Sequence, residues 1–292
     1  MGMKPSSHKR GLHDSSLTRV QPVFQQLIQQ DQSGLSWLPA LMDLVTVNSY
    51  QATRISINYG PLLPELVKKR RIGGNILNYY GVETIELENC FEKSIPPSER
   101  FLRWLIEHPE QLTWPQGGKE QYSQRTQDKR ETLIGLHGLQ AKAAAQKEAL
   151  EALDDLGIQR SHTKWWAFEG STSVDCYLET ENILLLIEGK RTEKLSESIN
   201  WYPRRNQLIR ILDVAQEISG RKEYGVMVLA ETQIEPISEK VIENSLPHLT
   251  KDEIEELMGH YLGCLLWEDV CNAVDIPFDS LPDTVTEWVE QL

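Results

Sequence analysis

The sequence VDCYLETENILLLIEGK, residues 174–190, predicts two β-strands joined by a tight turn. If Glu181-Asn182 forms a two-residue hairpin turn, Asp175 lies directly opposite Glu188 on the neighbouring strand. Opposed residues of a hairpin point to the same face of the sheet, and so does Lys190, because side chains alternate along a strand. The pattern therefore predicts an aspartate, a glutamate and a lysine together at the open end of one hairpin. A register shift by one residue would separate them.

Two carboxylates at this spacing form a hard oxygen site that suits Mg²⁺ or Mn²⁺. A lysine beside them can orient or help to deprotonate an attacking water, and it can stabilise charge in the transition state of phosphoryl transfer. The alternative is a surface salt bridge at a strand end, which would be common and individually weak.

The flanking sequence predicts alternating helices and strands. An Ala-rich helix ends before Gly157, and a helix that begins at Pro203 ends before Gly220. The predicted order is an Ala-rich helix within 130–156, strands 164–168, 174–180 and 183–187, helix 203–219, and strand 224–230.

Asp175 followed by Glu188-Gly189-Lys190 at the end of the next strand resembles the PD-(D/E)XK nuclease superfamily. The order of elements over residues 130–232 is similar to the core of that superfamily. Val174 stands where the motif often has proline. The resemblance implies a restriction-endonuclease-like α/β fold with an αβββαβ core and the hydrolysis of phosphodiester bonds. It also implies that Asp175 and Glu188 are metal ligands and that Lys190 holds the catalytic lysine position.

Further acidic and amide side chains are candidates for the same site. Glu169 ends the strand predicted before the hairpin and is a candidate third metal ligand, or else an exposed acid in a turn. Gln207 matches the glutamine of RecB-type exonuclease domains, although Ile211 replaces the tyrosine expected four residues later. Glu148 and Glu151 lie on the predicted first helix, where solvation is the simpler interpretation.

Basic residues follow the motif closely. Arg191, Arg204, Arg205 and Arg210 are candidate contacts to nucleic-acid phosphates, and a solvated polar face is the alternative. Lys68-Lys69-Arg70-Arg71 is a second basic cluster, at the end of a predicted helix where cations are favoured in any case.

The acidic residues are concentrated at the end of the chain. The net charge is −13, and the segment 231–292, with fifteen acids and two bases, accounts for all of it. A capping box at Thr250 and Glu253 predicts one long helix that runs through Leu266 to Ala273. We expect this helix to dock on the body, with its acids near helix 203–219, where they would compete with phosphate for the arginines.

The chain is thus predicted to have four regions: a disordered terminus (1–14), a mostly helical N-terminal region (15–129) that ends in a loop from residue 115, a nuclease-like core (130–232) and an acidic helical extension (233–292). Within the second region we expect helices at 17–30 and 37–47 and another that begins at Pro97. The N-terminal region or the acidic helix could serve a homodimer or a protein partner.

Composition narrows the class of protein. Hydrophobic residues make up 40% of the 292 residues and charged residues 25%, which is typical of globular proteins, and no apolar run approaches the ~20 residues of a membrane helix. The four cysteines have no metal-binding spacing and suggest reduced thiols in a cytoplasmic protein. The favoured function is a metal-dependent nuclease that acts on nucleic acid, with DNA as the first expectation. The alternative is a non-catalytic module that keeps the fold for binding nucleic acid or protein.

Overall fold

The computed structural model describes residues 11–52, 90–115, 118, 120, 122–155, 160, 164–191 and 193–291. Most of the predicted disordered terminus and the basic cluster 68–71 lie outside these residues.

The described part contains ten α-helices and one five-stranded sheet. The helices are α1 (Gln21–Gln30), which continues a π-helical turn (Ser16–Val20), α2 (Leu38–Ala52), α3 (Glu99–Glu107), α4 (Gln124–Ile134), α5 (Leu139–Asp154), α6 (Gln207–Ser219), α7 (Glu239–Ser245), α8 (Lys251–Met258), α9 (Trp267–Ala273) and α10 (Val285–Gln291). The strands are β1 (Phe91–Ile95), β2 (Thr172–Glu179), β3 (Ile183–Lys190), β4 (Glu223–Ala230) and β5 (Tyr261–Leu266). Short 3₁₀ turns occur at Pro109–Gln111 and Phe278–Ser280.

The strands lie in the sheet in chain order, β1-β2-β3-β4-β5. β1, β2 and β3 are antiparallel neighbours, and β4 and β5 continue the sheet parallel to β3. Cys176 opposes Ile187 and Glu179 opposes Leu184, and the turn is closed by a 2.9 Å hydrogen bond from Thr180 N–H to Ile183 C=O. The register predicted for this hairpin from the Glu181-Asn182 turn is confirmed.

Helices cover both faces of the sheet, so every residue of β3 is buried. On one face, here called the α1 face, α1, α2 and α9 pack over Cys176, Leu185 and Ile187. On the other, the α6 face, helices α6, α7 and α8 pack over Leu184 and Leu186. Each face has its own apolar cluster.

A third cluster lies beside the sheet and joins α3, α4 and α5. The residues Phe101, Leu102, Leu105 and Ile106, predicted as the apolar stripe of α3, are all buried there. Ala145, Ala149 and Leu153 of α5 belong to the same cluster, which contains no strand residue. The Ala-rich helix therefore packs on α3 and α4 beside the sheet.

Two predictions for the middle of the chain are wrong. Residues 164–168 form no strand, because Trp166, Ala167 and Phe168 are buried one after another in the third cluster instead of alternating between two faces. The strand that pairs with β2 at this position is β1, from the N-terminal region. The predicted loop 115–129 is also wrong in part, because α4 begins inside it and ends at Gly135, which has φ 103°. The Ala-rich helix predicted within 130–156 is confirmed as α5.

Helix α6 begins at Gln207, four residues later than Pro203 had suggested. The side-chain oxygen of Asn206 accepts hydrogen bonds from the N–H groups of Leu208 and Ile209 and so caps the helix. This start places Gln207 in the first turn of the helix, beside the end of β3.

The acidic extension is not one long helix. The capping box at Thr250 and Glu253 is present and α8 follows it, but the chain then forms strand β5 and a second helix, α9. The apolar residues 261–266 alternate poorly and fit either pattern, and pairing with β4 decides between them. The sheet thus takes strands from three of the four predicted regions: β1 from 15–129, β2 to β4 from 130–232 and β5 from 233–292.

All four cysteines are free thiols, as expected. Among the described helices there is none with the length and apolar character needed to cross a bilayer.

Gly263 gives a direct test of strand β5. The register between β4 and β5 shifts by one residue near this glycine, which has φ 96° and open space where a Cβ would be. Gly263→Ala should therefore lower the free energy of unfolding by about 1–2 kcal/mol in urea denaturation, because an L-residue is strained at this φ. In a continuous helix the same change would raise stability. Gly11→Ala, also with open space but without a positive φ, should be neutral.

Candidate active site

Glu188 is the centre of a polar cluster at the end of β3. Its side chain is buried at 3% exposure, and its Oε1 accepts hydrogen bonds from Lys190 Nζ at 2.7 Å and from Gln207 Nε2 at 2.6 Å. Its other oxygen, Oε2, is buried and has no hydrogen-bond partner in the described part of the chain. A buried carboxylate oxygen without a partner is costly and calls for an explanation.

Asp175 reaches the cluster by a different route from the one predicted. Val174 belongs to the core on the α6 face and Cys176 to the core on the α1 face, so the alternation of β2 breaks at Asp175. The carboxylate does not simply face Glu188 across a regular ladder. Its Oδ2 accepts a 2.8 Å hydrogen bond from the backbone N–H of Gly189, between Glu188 and Lys190.

The backbone is strained beside this irregularity. Glu92 on β1, one of two non-glycine residues with positive φ in the described chain, has φ 50° and falls between Phe91 and Lys93, which pair with Cys176 and Val174. It therefore stands opposite Asp175. Strain of this kind is common next to functional groups.

Gly189 allows the N-terminal helix to approach the strand closely. A Cβ at this position would lie 2.4 Å from Val20 Cγ2 and 3.4 Å from the ring of Trp267. The hydroxyl of Ser15 donates to Gly189 C=O at 3.0 Å, and Trp267 Nε1 donates to Lys190 C=O at 3.2 Å. The backbone at the end of β3 is thus hydrogen-bonded by Ser15, just before the first helix, and by Trp267 at the start of α9.

Burial raises the pKa of Asp175 well above its ordinary value, and the negative charge of Glu188 raises it further. The hydrogen bond from the Gly189 N–H and the positive charge of Lys190 lower this pKa and offset only part of the rise. Burial also raises the pKa of Glu188, although Lys190 and Gln207 oppose it. For Lys190, burial favours the neutral amine, but the carboxylate of Glu188 outweighs it and the pKa is raised. Lys190 is therefore a cation at neutral pH, and two acids compete for its single charge.

The donor set fits a small divalent cation. It offers two carboxylates, one with an unpartnered buried oxygen, and their charges exceed that of the one lysine nearby. A cation would supply the missing positive charge and a partner for Glu188 Oε2. No group of three or more His, Cys, Asp or Glu side chains suited to a metal occurs in the described residues, so further ligands would be backbone oxygens or waters.

Of the secondary candidates, Gln207 joins the cluster and Glu169 does not. Glu169 is buried, and its carboxylate lies between the guanidinium groups of Arg205 and Arg210, with Oε1 at 3.1 Å from each Nε. Glu148 and Glu151 of α5 pair with lysines on the surface, Lys129 and Lys147.

The four arginines have different environments. Arg205 is fully buried and bonds to Glu169, Asp213 and the carbonyl of Ser245, so it cannot reach a phosphate as the protein is folded here. Arg191 pairs with Glu231 and Asp283. Arg210 is partly buried, and Arg204 is exposed and bonds to Gln111.

The acidic extension does dock on the body, through Ile254 and Leu257 of α8 in the α6-face core. In the described part of the chain, however, its acids do not bind Arg204, Arg205 or Arg210. Asp283 binds Arg191 together with Glu231 at the end of the core, and Glu253 binds Arg100. Direct competition for Arg204, Arg205 and Arg210, as expected from the sequence, is not what the contacts show.

Sequence reasoning missed the contribution of the N-terminal helix to the site. The charge of Asp14 adds to the raised pKa of Asp175, and Ser15 holds the Gly189 carbonyl. Residues 1–14 had been taken as disordered because they are polar and lack periodicity. The only sequence signal was the capping-type pair Asp14-Ser15 before an apolar helix.

Comparison of the chain with known protein-family models, curated proteins and solved structures found no match.

The close approach at Gly189 predicts a coupled pair of substitutions. Gly189→Ala should lower the free energy of unfolding by about 1–3 kcal/mol, because the added methyl overlaps Val20 Cγ2. In a Val20→Ala background, Gly189→Ala should lower the free energy of unfolding by clearly less. A double-mutant cycle measured by urea denaturation gives the difference. Equal losses of stability in both backgrounds would mean that Val20, in the π-helical turn before α1, does not press on the strand.

Asp175→Asn should stabilise the metal-free protein at neutral pH. A carboxylate with a raised folded-state pKa favours folding below its unfolded value of 3.8 and loses this contribution as pH rises through the folded pKa. Asparagine keeps an oxygen for the Gly189 N–H but carries no charge. In EDTA at pH 8 we expect the melting temperature of Asp175→Asn to exceed that of the wild type by about 2 °C or more. This difference in melting temperature should shrink as the pH falls toward 4. A gain independent of pH would contradict this account.

Proposed function

We propose that this chain is a metal-dependent phosphodiesterase that acts on nucleic acid, with DNA as the first substrate to test. The observation that carries the proposal is the environment of Glu188. Glu188 Oε1 accepts hydrogen bonds from Lys190 and Gln207, whereas Oε2 has no partner among the described residues. Asp175 accepts a hydrogen bond from the backbone N–H of Gly189, the residue after Glu188 on β3. Four side chains suited to phosphoryl chemistry are gathered there.

The order of elements supports the proposal. Helix α1, strands β1, β2 and β3, helix α6 and strand β4 occur along the chain in the order helix, three strands, helix, strand, with α2 as a further helix between α1 and β1. This is the αβββαβ order that the resemblance to the PD-(D/E)XK superfamily implies. The first helix and first strand differ from those predicted, and helices α3, α4 and α5 are inserted between β1 and β2.

In this proposal Asp175 and Glu188 hold Mg²⁺ or Mn²⁺. The chemistry that such a cation supplies is stabilisation of charge on a phosphoryl oxygen and a lower pKa for water. Lys190 stays protonated beside Glu188, so its role is to attract and orient the anionic phosphate and to stabilise developing charge. Proton abstraction by Lys190 would first require loss of its own proton.

Gln207 acts as a positioning residue. Its Nε2 donates to Glu188 Oε1, and its Oε1 accepts from the backbone N–H of Ser196 at 3.1 Å. The amide thus fixes the carboxylate relative to the loop that follows β3. With this bond and that of Lys190, Oε1 is fully engaged, and Oε2 is left for a cation.

The surface contacts to nucleic acid are revised by the burial of the arginines. Arg204 is exposed and Arg210 partly so, and both remain candidates for phosphate contacts. Arg191 would first have to leave Glu231 and Asp283. Arg205 serves to hold Glu169 and Asp213 in the interior.

The alternative is a binding module without catalysis, and one observation favours it. Glu188 and Lys190 are only 3% and 8% exposed, and Ser15 and the following turn lie against the end of β3. A substrate would need to reach the cluster from the side of Asp175, which is partly exposed. The acidic segment and the helical N-terminal region could then serve a protein partner or a homodimer.

Cleavage assays separate the two functions. With Mg²⁺ or Mn²⁺ we expect hydrolysis of plasmid or single-stranded DNA that Asp175→Ala, Glu188→Ala and Lys190→Ala each reduce by at least about a thousandfold. Glu181→Gln, an exposed acid in the turn of the same hairpin, is the matched control and should keep full activity. Omission of the divalent cation should also stop cleavage. Full activity in any of the three alanine variants would overturn the site.

A further inference from the structure

A cavity of about 270 Å³ opens on the α6 face at the first turn of α6. It is lined by Thr172 and Ser173 from the start of β2, by Ser196 and Ser198 from the loop after β3, and by Gln207 and Arg210. Arg205 lies in its wall, and none of its lining residues is acidic. The size is just below the ~300–1,000 Å³ of pockets for drug-sized ligands, so it suits a small polar group.

Two arginines line the cavity, Arg205 and Arg210, and of these Arg210 has the less complete set of hydrogen bonds. Its Nη2 donates to Gly170 C=O at 2.7 Å, and among the described residues Nη1 has no partner. Its Nε is buried and lies 3.1 Å from Glu169 Oε1 without an aligned hydrogen bond, because that oxygen also serves Arg205. One carboxylate oxygen is therefore shared between two guanidinium groups; Asp213 gives Arg205 a second acid, but Arg210 Nε is left without an aligned acceptor.

Thr172 gives a second, independent observation. The residue is 3% exposed and lines the cavity, yet its Oγ1 has no hydrogen-bond partner in the described part of the chain. Three more hydroxyl groups line the same space, on Ser173, Ser196 and Ser198. Hydroxyl donors around an under-compensated arginine are a typical environment for a phosphate oxygen.

We propose that this cavity binds a phosphate group of the substrate strand, adjacent to the phosphodiester that is cleaved. The proposal rests on the function proposed above and adds to it a subsite with Arg210 and Thr172 as its contacts. An anion of this kind gives Arg210 an acceptor that it does not share with Arg205, and it accepts a hydrogen bond from Thr172.

Gln207 connects this subsite to Glu188. The same side chain lines the cavity and donates to Glu188 Oε1 at 2.6 Å. A phosphate in the cavity is thus separated from the candidate metal site by the length of one amide side chain. The subsite would fix the strand so that the neighbouring phosphate lies at Asp175 and Glu188.

The test measures binding without cleavage. A fluorescent single-stranded oligonucleotide is titrated with the full chain in EDTA at fixed ionic strength, and its anisotropy gives Kd. Thr172→Val, which keeps the shape of the side chain, and Arg210→Lys, which keeps the charge, should each weaken binding about tenfold, as expected for the loss of a charge-assisted hydrogen bond. Thr286→Val and Arg125→Lys, at exposed positions on α10 and α4, are the matched controls.

Inorganic phosphate identifies the source of the anion. It should compete with the oligonucleotide on the wild type and much less on Thr172→Val. If inorganic phosphate binds but no oligonucleotide does, the cavity takes a small phosphate compound and the assignment to a strand is overturned. Wild-type affinity in both cavity variants, each shown to melt like the wild type, would overturn the subsite itself.

The outcome for the subsite can be told apart from that for catalysis. Weaker binding in the cavity variants together with no cleavage by the wild type in Mg²⁺ or Mn²⁺ would support the phosphate subsite and reject the proposed hydrolysis. Cleavage that depends on Glu188, with no effect of the cavity variants on Kd, would support the proposed hydrolysis and reject the phosphate subsite.

Discussion

The absence of a side chain at Gly189 is the constraint on which the rest of the candidate site depends. Because no Cβ is present, Val20 packs directly on the end of β3, and Asp175 reaches the backbone N–H between Glu188 and Lys190. The same close contact brings Ser15 to the Gly189 carbonyl. One glycine thus determines how two strands and a helix from the start of the chain meet around the carboxylates.

The cost of this arrangement is electrostatic. Two carboxylates lie in a protein interior where burial favours their protonated forms, and only one lysine balances them. A structural ion pair would not need the second acid, and a purely structural glutamate would not leave one oxygen unbonded in the interior. In the function proposed above, a bound cation would complete the charge of this site, and the protein would be less stable when none is bound.

The sequence predicted the hairpin and its register well, because the turn residues and the alternation of apolar side chains both act locally. It failed where the partner of a segment is distant. Residues 164–168 were taken as a strand because they are apolar, although nothing local distinguishes a strand from a buried loop there. β1 and β5 could be assigned only from their pairing with β2 and β4. Arg205 shows the same limit for the site, since only its buried carboxylate partners reveal that it faces inward.

The position of β1 has a consequence for how the chain folds. During synthesis β1 emerges well before β2, its partner in the sheet, because α3, α4 and α5 lie between them in the chain. Until β2 is synthesised, β1 is unpaired and its backbone hydrogen-bonding groups are exposed. Helices α3, α4 and α5 can pack on one another during this interval. Closure of such a long loop makes late, slow sheet formation the natural order of events. The helical insertion therefore delays the pairing of β1 with β2, whereas the β2–β3 hairpin that carries Asp175 and Glu188 can form locally.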